Sequence, residues 1–332
     1  MILGLAGPAL TEEERALFRA SDPLGFILFQ RNCVSPSQVR GLVSELRALV
    51  GRADAPVLID QEGGRVQRLR PPAWRKVPPA AVFGHLFAAD PTRAIVATRT
   101  NARLIAAELV SLGISVDCAP VLDLSYPEAH DIIGDRAFGA RPEVVATLGR
   151  AFAEGLRAGG VLPVIKHVPG HGRALADSHL ECPVVTAERA VLEQTDFRPF
   201  AELSQEPCWA MTAHIVFADL DPDRPATLSP IVIGDIIRKR LGFDGVVLSD
   251  DLSMEALSGD FASRTRDSLD AGCDLVLHCN GKMEEMRAVA AACRPLSQQT
   301  ERRLAAAASA VASGHGFDAA AATAELDALL AG

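Results

Sequence analysis

Eight short apolar runs, separated by longer amphipathic stretches, constrain the fold of this chain more than any other feature of its sequence. Each run is shorter than a helix and has the continuous apolar character of a strand that is buried on both faces. The runs are Ile2–Leu5, Gly25–Phe29, Pro56–Ile59, Ser115–Ala119, Val161–Ile165, Trp209–Ala213, Gly245–Leu248 and Asp274–Leu277. Strands that alternate with helices form parallel sheets, and eight of them close a sheet on itself. The pattern therefore predicts an α/β protein with a single-domain (β/α)8, TIM-type barrel.

Amphipathic helices are expected between these strands, and each begins with a residue suited to an N-cap or with a proline in its first turn. The main stretches are Ser35–Val50, Pro91–Leu112, Arg141–Ala158 and Ser229–Leu241. No linker or repeat divides the sequence, so we expect one catalytic domain over residues 1–332, with C-terminal helices from about residue 298. A doubly wound sheet is the alternative. It would bring ligands to one switch point, whereas candidate residues here follow at least five strands.

Charge and cysteine content narrow the class of protein. The 332 residues carry a formal net charge of −9 and no basic run, which argues against nucleic acid or an anionic membrane as the main partner. The first residues lack the basic start of a secretory signal, and no apolar run approaches the ~20 residues of a membrane span. The seven cysteines are scattered, without a C-x-x-C pair. This usage is typical of a reducing compartment, so we expect a cytoplasmic protein.

Chemically active side chains are concentrated between Lys166 and His179. Three histidines, a lysine and Asp177 lie within these fourteen residues. A proline and two glycines interrupt any regular element, so the segment is predicted to be a loop that leaves the end of a buried strand. A second buried strand is followed by Ser249–Asp251. Together the two segments suggest an imidazole proton donor and a carboxylate nucleophile that face one pocket.

The same histidines raise a metal site as an alternative. His167 and His171 have the spacing of one helix face, but Pro169 and Gly170 between them exclude that helix. Zinc ligands often include Cys or an acid, and no Cys or Glu lies at ligand spacing nearby. No glycine-rich dinucleotide motif opens a helix either. We therefore expect no metal and no cofactor, a loop-shaping role for His171 through backbone hydrogen bonds, and a place for His214 along the site.

Six blocks of the sequence resemble glycoside hydrolase family 3, and within it the single-domain β-N-acetylhexosaminidases. They occur in the order typical of that family, and the resemblance extends from about residue 2 to residue 285. The blocks are Ile59–Leu69, Ala119–Asp123, Ile133–Phe138, Lys166–His179, Met211–His214 and Leu248–Met254. Six such blocks in order, spread over most of the chain, make the resemblance specific.

The resemblance implies a role for each polar candidate. It implies that Asp250 is the nucleophile, that His179 is the general acid/base and that Asp177 orients the imidazole. A histidine departs from the usual pair of carboxylates, but its reference pKa of ~6.5 lets it give and take back a proton near neutral pH. The residues implied to bind the non-reducing sugar are Asp60, Arg68, Arg136, Lys166 and His167.

From the residues alone, other roles stay open. Asp250 could cap a helix that begins near Leu252, and Asp251 is its rival as the nucleophile. Both arginines could be structural and pair with Glu62 and Asp123.

The activity implied by the resemblance is that of a retaining exo-β-N-acetylglucosaminidase of peptidoglycan recycling. It would remove terminal N-acetylglucosamine from muropeptide fragments through a glycosyl–Asp250 intermediate. An aromatic content of only 5% favours a compact pocket over a polysaccharide groove. The alternatives are a β-glucosidase-type enzyme, a metal-dependent barrel hydrolase and an inactive sugar-binding protein. We expect a small carbohydrate as the partner, water or phosphate as the acceptor, and a monomer.

Overall fold

A closed barrel of eight parallel strands organises the computed structural model, which describes residues 1–178, 180–311 and 317–331. The strands follow one another around the barrel in chain order, and the first pairs with the last at Ile2 and Leu277. They are Ile2–Leu3, Gly25–Leu28, Val57–Ile59, Val116–Asp117, Leu162–Val168, Trp209–Thr212, Val247–Asp251 and Leu275–His278. Each lies in or overlaps one of the apolar runs. The predicted (β/α)8 barrel is therefore confirmed.

Helices connect consecutive barrel strands. The α-helices are Glu12–Ser21, Pro36–Leu49, Ala80–Ala89, Pro91–Ser111, Pro142–Ala158, Arg189–Gln194, Arg198–Glu202, Phe261–Ala271, Met283–Ala292, Gln298–Ser309 and Ala319–Ala331. Ser35 and Asp90 cap two of them as their residue types predict, because each side chain accepts a hydrogen bond from the first turn. The fourth predicted stretch forms a π-helix, Val232–Arg240, rather than an α-helix. Among the described residues, no helix has both the length and the apolar character that a membrane crossing requires.

Alternating side chains of the strands build two apolar clusters. Ile2, Ile27 and Leu58 belong to the cluster inside the barrel, whereas their neighbours Leu3 and Phe26 belong to the cluster beneath the helices. Successive residues of a strand point to opposite faces, so a strand buried on both faces must be apolar throughout. This is the physical origin of the eight continuous runs in the sequence.

Two barrel strands extend further than the sequence predicted. The fifth strand continues past its apolar run because Lys166 pairs with Met211 and Val168 pairs with Thr212 of the sixth strand. The predicted loop therefore begins after Val168 and not at Lys166. The seventh strand likewise includes Asp250. Pairing between strands overrides the polar character of these residues, and it fixes them on rigid elements instead of loops.

An acidic residue, Asp117, is fully buried in the fourth barrel strand. Its Oδ1 accepts a hydrogen bond of 2.9 Å from the backbone N–H of Gln61, and its Oδ2 has no partner among the described residues. Burial raises the pKa of Asp117 to about 8, and the charges of Asp60 and Glu62 add to this effect, while the Gln61 N–H and Lys166 oppose it. Asp117 is thus largely protonated at neutral pH.

We expect Asp117→Asn to remove a pH dependence of stability. Because the folded-state pKa of about 8 lies above the ordinary value of 3.8, the contribution of Asp117 is fully present below about pH 4 and is lost as the pH rises towards 8. The free energy of unfolding of the variant, relative to wild type, should therefore increase by several kcal/mol between pH 5 and pH 8. Urea denaturation at both pH values measures it. A difference that does not change with pH would contradict a neutral, buried Asp117.

Candidate active site

A cavity of about 360 Å³ lies at the carboxyl ends of the barrel strands. Active sites of (β/α)8 enzymes occupy this end of the barrel. The predicted site residues that line the cavity are Asp60, Arg68, Arg136, Lys166, His167 and Asp250. Apolar side chains complete the wall, and sequence reasoning did not identify them. They include Ile27, Phe29, Met211, Met254 and Leu277, together with residues 132 and 133.

Lys166 joins two carboxylates in this cavity. Its Nζ donates a hydrogen bond of 2.8 Å to Asp60 Oδ1 and lies 2.7 Å from Glu62 Oε1. Arg68 donates to the other oxygen of Asp60 at 3.0 Å, and Arg136 donates to both oxygens of Glu62 at 2.8 and 2.9 Å. Each carboxylate thus receives two cations. The three cations outnumber the two acids, so the group carries one net positive charge.

The charges in this group keep one another ionised. Burial alone would raise the pKa of Asp60 and of Glu62, but the adjacent cations outweigh it, lowering the first well below its ordinary value and the second to about 2. Burial would lower the pKa of Lys166, and the two carboxylates instead raise it. The group therefore stays fully charged across the pH range in which enzymes work, and donors and acceptors for hydroxyl groups are available together.

The pairing of Arg136 with Glu62 agrees with the structural role that the sequence left open for the arginines. The corresponding suggestion for Asp123 is wrong, because its partner is His167. The His167 Nδ1 lies 2.7 Å from Asp123 Oδ2, and the backbone N–H groups of His167 and His171 donate to Oδ1 at 3.2 and 2.7 Å. Burial would raise the pKa of Asp123, yet His167 lowers it overall. Because an ionised carboxylate can only accept a hydrogen bond, His167 Nδ1 carries a proton and donates it to this bond. The other ring nitrogen, Nε2, is not engaged by Asp123.

Asp250 is held at the edge of the cavity by short local contacts. Its Oδ1 accepts a hydrogen bond of 2.8 Å from the Asp251 N–H, and its own N–H donates to Thr212 Oγ1 at 3.3 Å. Burial would raise the pKa of Asp250, but the charges of His167 and His214 contribute to lowering it overall. Asp250 is therefore ionised at neutral pH. It belongs to a strand, so the alternative that it caps a helix is wrong.

Asp251 has a different environment from that of Asp250. Its Oδ1 accepts from the N–H groups of Ser253 and Cys279, both at 3.0 Å, and its Oδ2 accepts from Ser253 Oγ at 2.6 Å. Both oxygens are thus engaged in holding the chain after the seventh and eighth strands. Asp250 is the better candidate for a carboxylate that reacts with a ligand.

The two histidines without an assigned role are both buried. His171 bonds the Ser178 hydroxyl through Nε2 at 3.0 Å, and its backbone N–H donates to Asp123 Oδ1 at 2.7 Å. His214 does not line the cavity, contrary to prediction. The His214 ring lies outside the cavity lining, between Thr227 Oγ1 at 2.7 Å and the Asp251 carbonyl at 3.0 Å. Strand position alone does not distinguish a residue inside the cavity from one behind it.

The predicted acid/base pair is only partly within the described structure. Asp177 follows the fifth strand, and its neighbour Ser178 lines the cavity. His179 lies outside the described residues, so its role and its pairing with Asp177 stay predictions. No group of three or more His, Cys, Asp or Glu side chains within residues 1–178, 180–311 and 317–331 is arranged to hold a metal ion.

Sequence reasoning counted Asp123 among the polar candidates that follow strands, but it named Glu62 mainly as a possible partner of the arginines. A signal was available for Glu62. It stands two residues after Asp60, and such residues share a face in an extended chain. No comparable signal pointed to the pairing of Asp123 with His167, because Asp123 follows the fourth strand whereas His167 belongs to the fifth.

Charged side chains line a cavity at the carboxyl ends of a (β/α)8 barrel, which is where enzymes of the barrel class have their active sites, and comparisons with known proteins identify the family. Residues 5–313 match the N-terminal domain of glycosyl hydrolase family 3. The chain is 41% identical over 283 residues to a β-hexosaminidase of Alkalilimnicola ehrlichii, and the match covers 84% of this chain and 80% of the relative. A β-hexosaminidase of Chromobacterium violaceum is 41% identical over 309 residues, covering 92% and 85%.

A solved structure is similar over nearly the whole chain. NagZ from Neisseria gonorrhoeae, in complex with N-trifluoroacetyl-D-glucosamine, has a TM-score of 0.89 and 34% identity, and the match covers 99% of this chain and 97% of that one. The chain therefore belongs to glycosyl hydrolase family 3, and it is a glycoside hydrolase.

The two-sided pairing of Glu62 predicts a large effect of its neutralisation. In Glu62→Gln, Arg136 and Lys166 lose a shared counterion while they remain buried, and we expect the free energy of unfolding to fall by roughly 3 kcal/mol. Glu154→Gln is the matched control, because Glu154 pairs with Arg99 at the exposed surface and its loss should cost less than about 1 kcal/mol. Urea denaturation compares the two. Equal losses would show that the Glu62 group is not a buried charge network.

Proposed function

We propose that this glycoside hydrolase is a retaining exo-β-N-acetylglucosaminidase. The observation that carries the proposal is an ionised Asp250 at the edge of a cavity lined by Asp60, Lys166 and two arginines. The names of the similar β-hexosaminidases, and the glucosamine derivative bound in the N. gonorrhoeae protein, support the choice of sugar.

The cavity suits a single terminal sugar. Its volume of about 360 Å³ is near the lower end of the range of roughly 300–1,000 Å³ for small-molecule sites. We assign the sugar hydroxyls to Asp60, Arg68, Arg136, Lys166 and His167. The Asp60 carboxylate accepts hydrogen bonds from sugar hydroxyls, and the cations donate hydrogen bonds to them. Phe29 supports the position of Arg68, because the guanidinium lies 4.7 Å from the centre of the Phe29 ring.

Two displacement steps follow from these assignments. A carboxylate oxygen of Asp250 attacks the anomeric carbon while the glycosidic bond breaks, and His179 gives its proton to the departing oxygen. Water then attacks the same carbon, its proton passes to His179, and the bond to Asp250 breaks. Asp177 orients the imidazole and stabilises its protonated form. Two inversions in sequence retain the anomeric configuration.

The biological setting is the finer part of the proposal. We infer a substrate that carries N-acetylglucosamine on a muropeptide fragment of peptidoglycan recycling, a cytoplasmic location, a monomer and a single catalytic domain over residues 1–332. The family resemblance supports the substrate, and charge and cysteine usage support the location.

Turnover of an aryl β-N-acetylglucosaminide beside the matching β-glucoside tests the proposed activity. We expect release of aryl alcohol from the first substrate and little from the second, and no effect of a metal chelator. A preference for the glucoside would reject the choice of sugar, and loss of activity with the chelator would favour the metal-dependent alternative.

Replacing Asp250 by Ala should nearly abolish turnover without unfolding the protein, because it removes the proposed nucleophile but no buried ion pair. Proton NMR of the first sugar released by the wild-type enzyme should show the β-anomer. An initial α-anomer, or an active Asp250→Ala variant, would exclude a glycosyl–Asp250 intermediate.

The proposed acid/base pair predicts a dependence on the leaving group. An activated aryl group needs little proton donation, so Asp177→Asn and His179→Ala should slow its release less than they slow cleavage of an N-acetylglucosaminyl disaccharide. Steady-state rates on both substrates measure this, and KM should change little. Equal losses on both substrates would exclude both residues from proton transfer.

A further inference from the structure

The segment that follows the fifth barrel strand is fixed to the barrel in its first part. The backbone N–H of His171 donates to Asp123 at 2.7 Å, and a Cβ added to Gly172 would lie 2.3 Å from a backbone oxygen. Arg173 Nε donates to Asp196 Oδ2 at 2.6 Å. Residues 171–173 therefore pack directly against the end of the barrel, and they give the segment a rigid base.

The next residues run outwards and return at Ser178. Leu175 and Leu180 are 69% and 76% exposed, whereas Ser178 between them is 2% exposed and lines the cavity. The Ser178 hydroxyl lies 3.0 Å from His171 Nε2, and the His171 ring is itself buried. A hydrogen bond between two buried side chains thus connects the outer part of the segment to its rigid base.

The protonation state of the His171 ring allows this hydrogen bond to form. Burial, reinforced by the charge of His167, lowers the pKa of His171 to about 4, so the ring is neutral at pH 7. In either neutral tautomer, Nε2 forms one hydrogen bond with a hydroxyl group, as donor or as acceptor. The bond to Ser178 therefore does not depend on which ring nitrogen carries the proton.

We propose that His171 and Ser178 are positioning residues whose hydrogen bond fixes Ser178 at the cavity and so assists the proposed acid/base pair, Asp177 and His179, in proton transfer. The inference rests on the proposed function, because Asp177 and His179 flank Ser178 in the chain. Neighbouring Cα atoms are about 3.8 Å apart, so fixing Ser178 limits where both neighbours can lie. Neither His171 nor Ser178 transfers a proton. Their contribution is to the alignment of the groups that do.

Ser178→Ala, which removes one hydroxyl, tests the proposal. On an N-acetylglucosaminyl disaccharide we expect kcat to fall about tenfold with KM within about twofold, and on an activated aryl substrate kcat to change less than about twofold. Ser178→Thr, which keeps a hydroxyl, should restore most of the loss. Ser268→Ala is the matched control, because Ser268 is also buried and donates a 2.7 Å hydrogen bond, but within the helix Phe261–Ala271 and away from the cavity.

A second pair of variants changes His171, the other partner of the hydrogen bond. His171→Leu removes the ring nitrogens, and we expect it to reproduce the leaving-group dependence of Ser178→Ala. His171→Gln places an amide nitrogen near the position of Nε2 and should recover part of the rate. If Ser178→Ala does not fold, this pair provides the same comparison.

Measuring Ser178→Ala in a protein that already carries His179→Ala separates this proposal from the proposed function. There, Ser178→Ala should cause no further loss, because its effect passes through His179. A further loss in that background, an equal loss on both substrates or a change confined to KM would overturn the positioning role alone. If His179→Ala itself shows no leaving-group dependence, the assignment of the acid/base fails, and the positioning role fails with it.

Discussion

Burial of the Lys166 ammonium between Asp60 and Glu62 is the constraint on which the active end of the barrel depends. A buried ammonium without counterions would lose its proton or destabilise the fold, so both carboxylates must lie within hydrogen-bonding distance of Nζ. Two carboxylates placed that close would repel each other, and Arg68 and Arg136 offset this from the other side. The five groups therefore fix one another, and a hydroxyl-rich ligand meets donors and acceptors that are already oriented.

Barrel strands, and not loops, carry three of the residues that line the cavity. Lys166 and His167 are in the fifth strand and Asp250 is in the seventh, where backbone pairing holds the Cα positions. Asp123 lies in the segment that follows the fourth strand, and it fixes the His167 ring. Positions on paired strands vary little with thermal motion, so distances near 2.8 Å can be maintained between groups that are far apart in the chain.

The sequence predicted the barrel well because a strand buried on both faces must be apolar at every position, and this leaves a direct trace in the chain. It named the charged residues that line the cavity mainly through the family resemblance. It did not predict where the fifth strand ends, because pairing of Lys166 with Met211 compensates for a polar residue that a local pattern assigns to a loop. Nor did it predict the partner of His167, since spacing along the chain carries no information on contacts between different strands.

The buried ionisable residues around the cavity differ in charge state for a common physical reason. Each loses the stabilisation of water, and the outcome depends on whether a counterion replaces it. Asp60 has two cations and stays charged, whereas Asp117 has one backbone N–H bond and a more distant Lys166, and so remains protonated near neutral pH. Within the described part of the chain no carboxylate is hydrogen-bonded to the ring nitrogens of His171, and its ring is neutral. Neutral groups can therefore shape this end of the barrel without disturbing the charges that line the cavity, which separates the framework of the cavity from its charged lining.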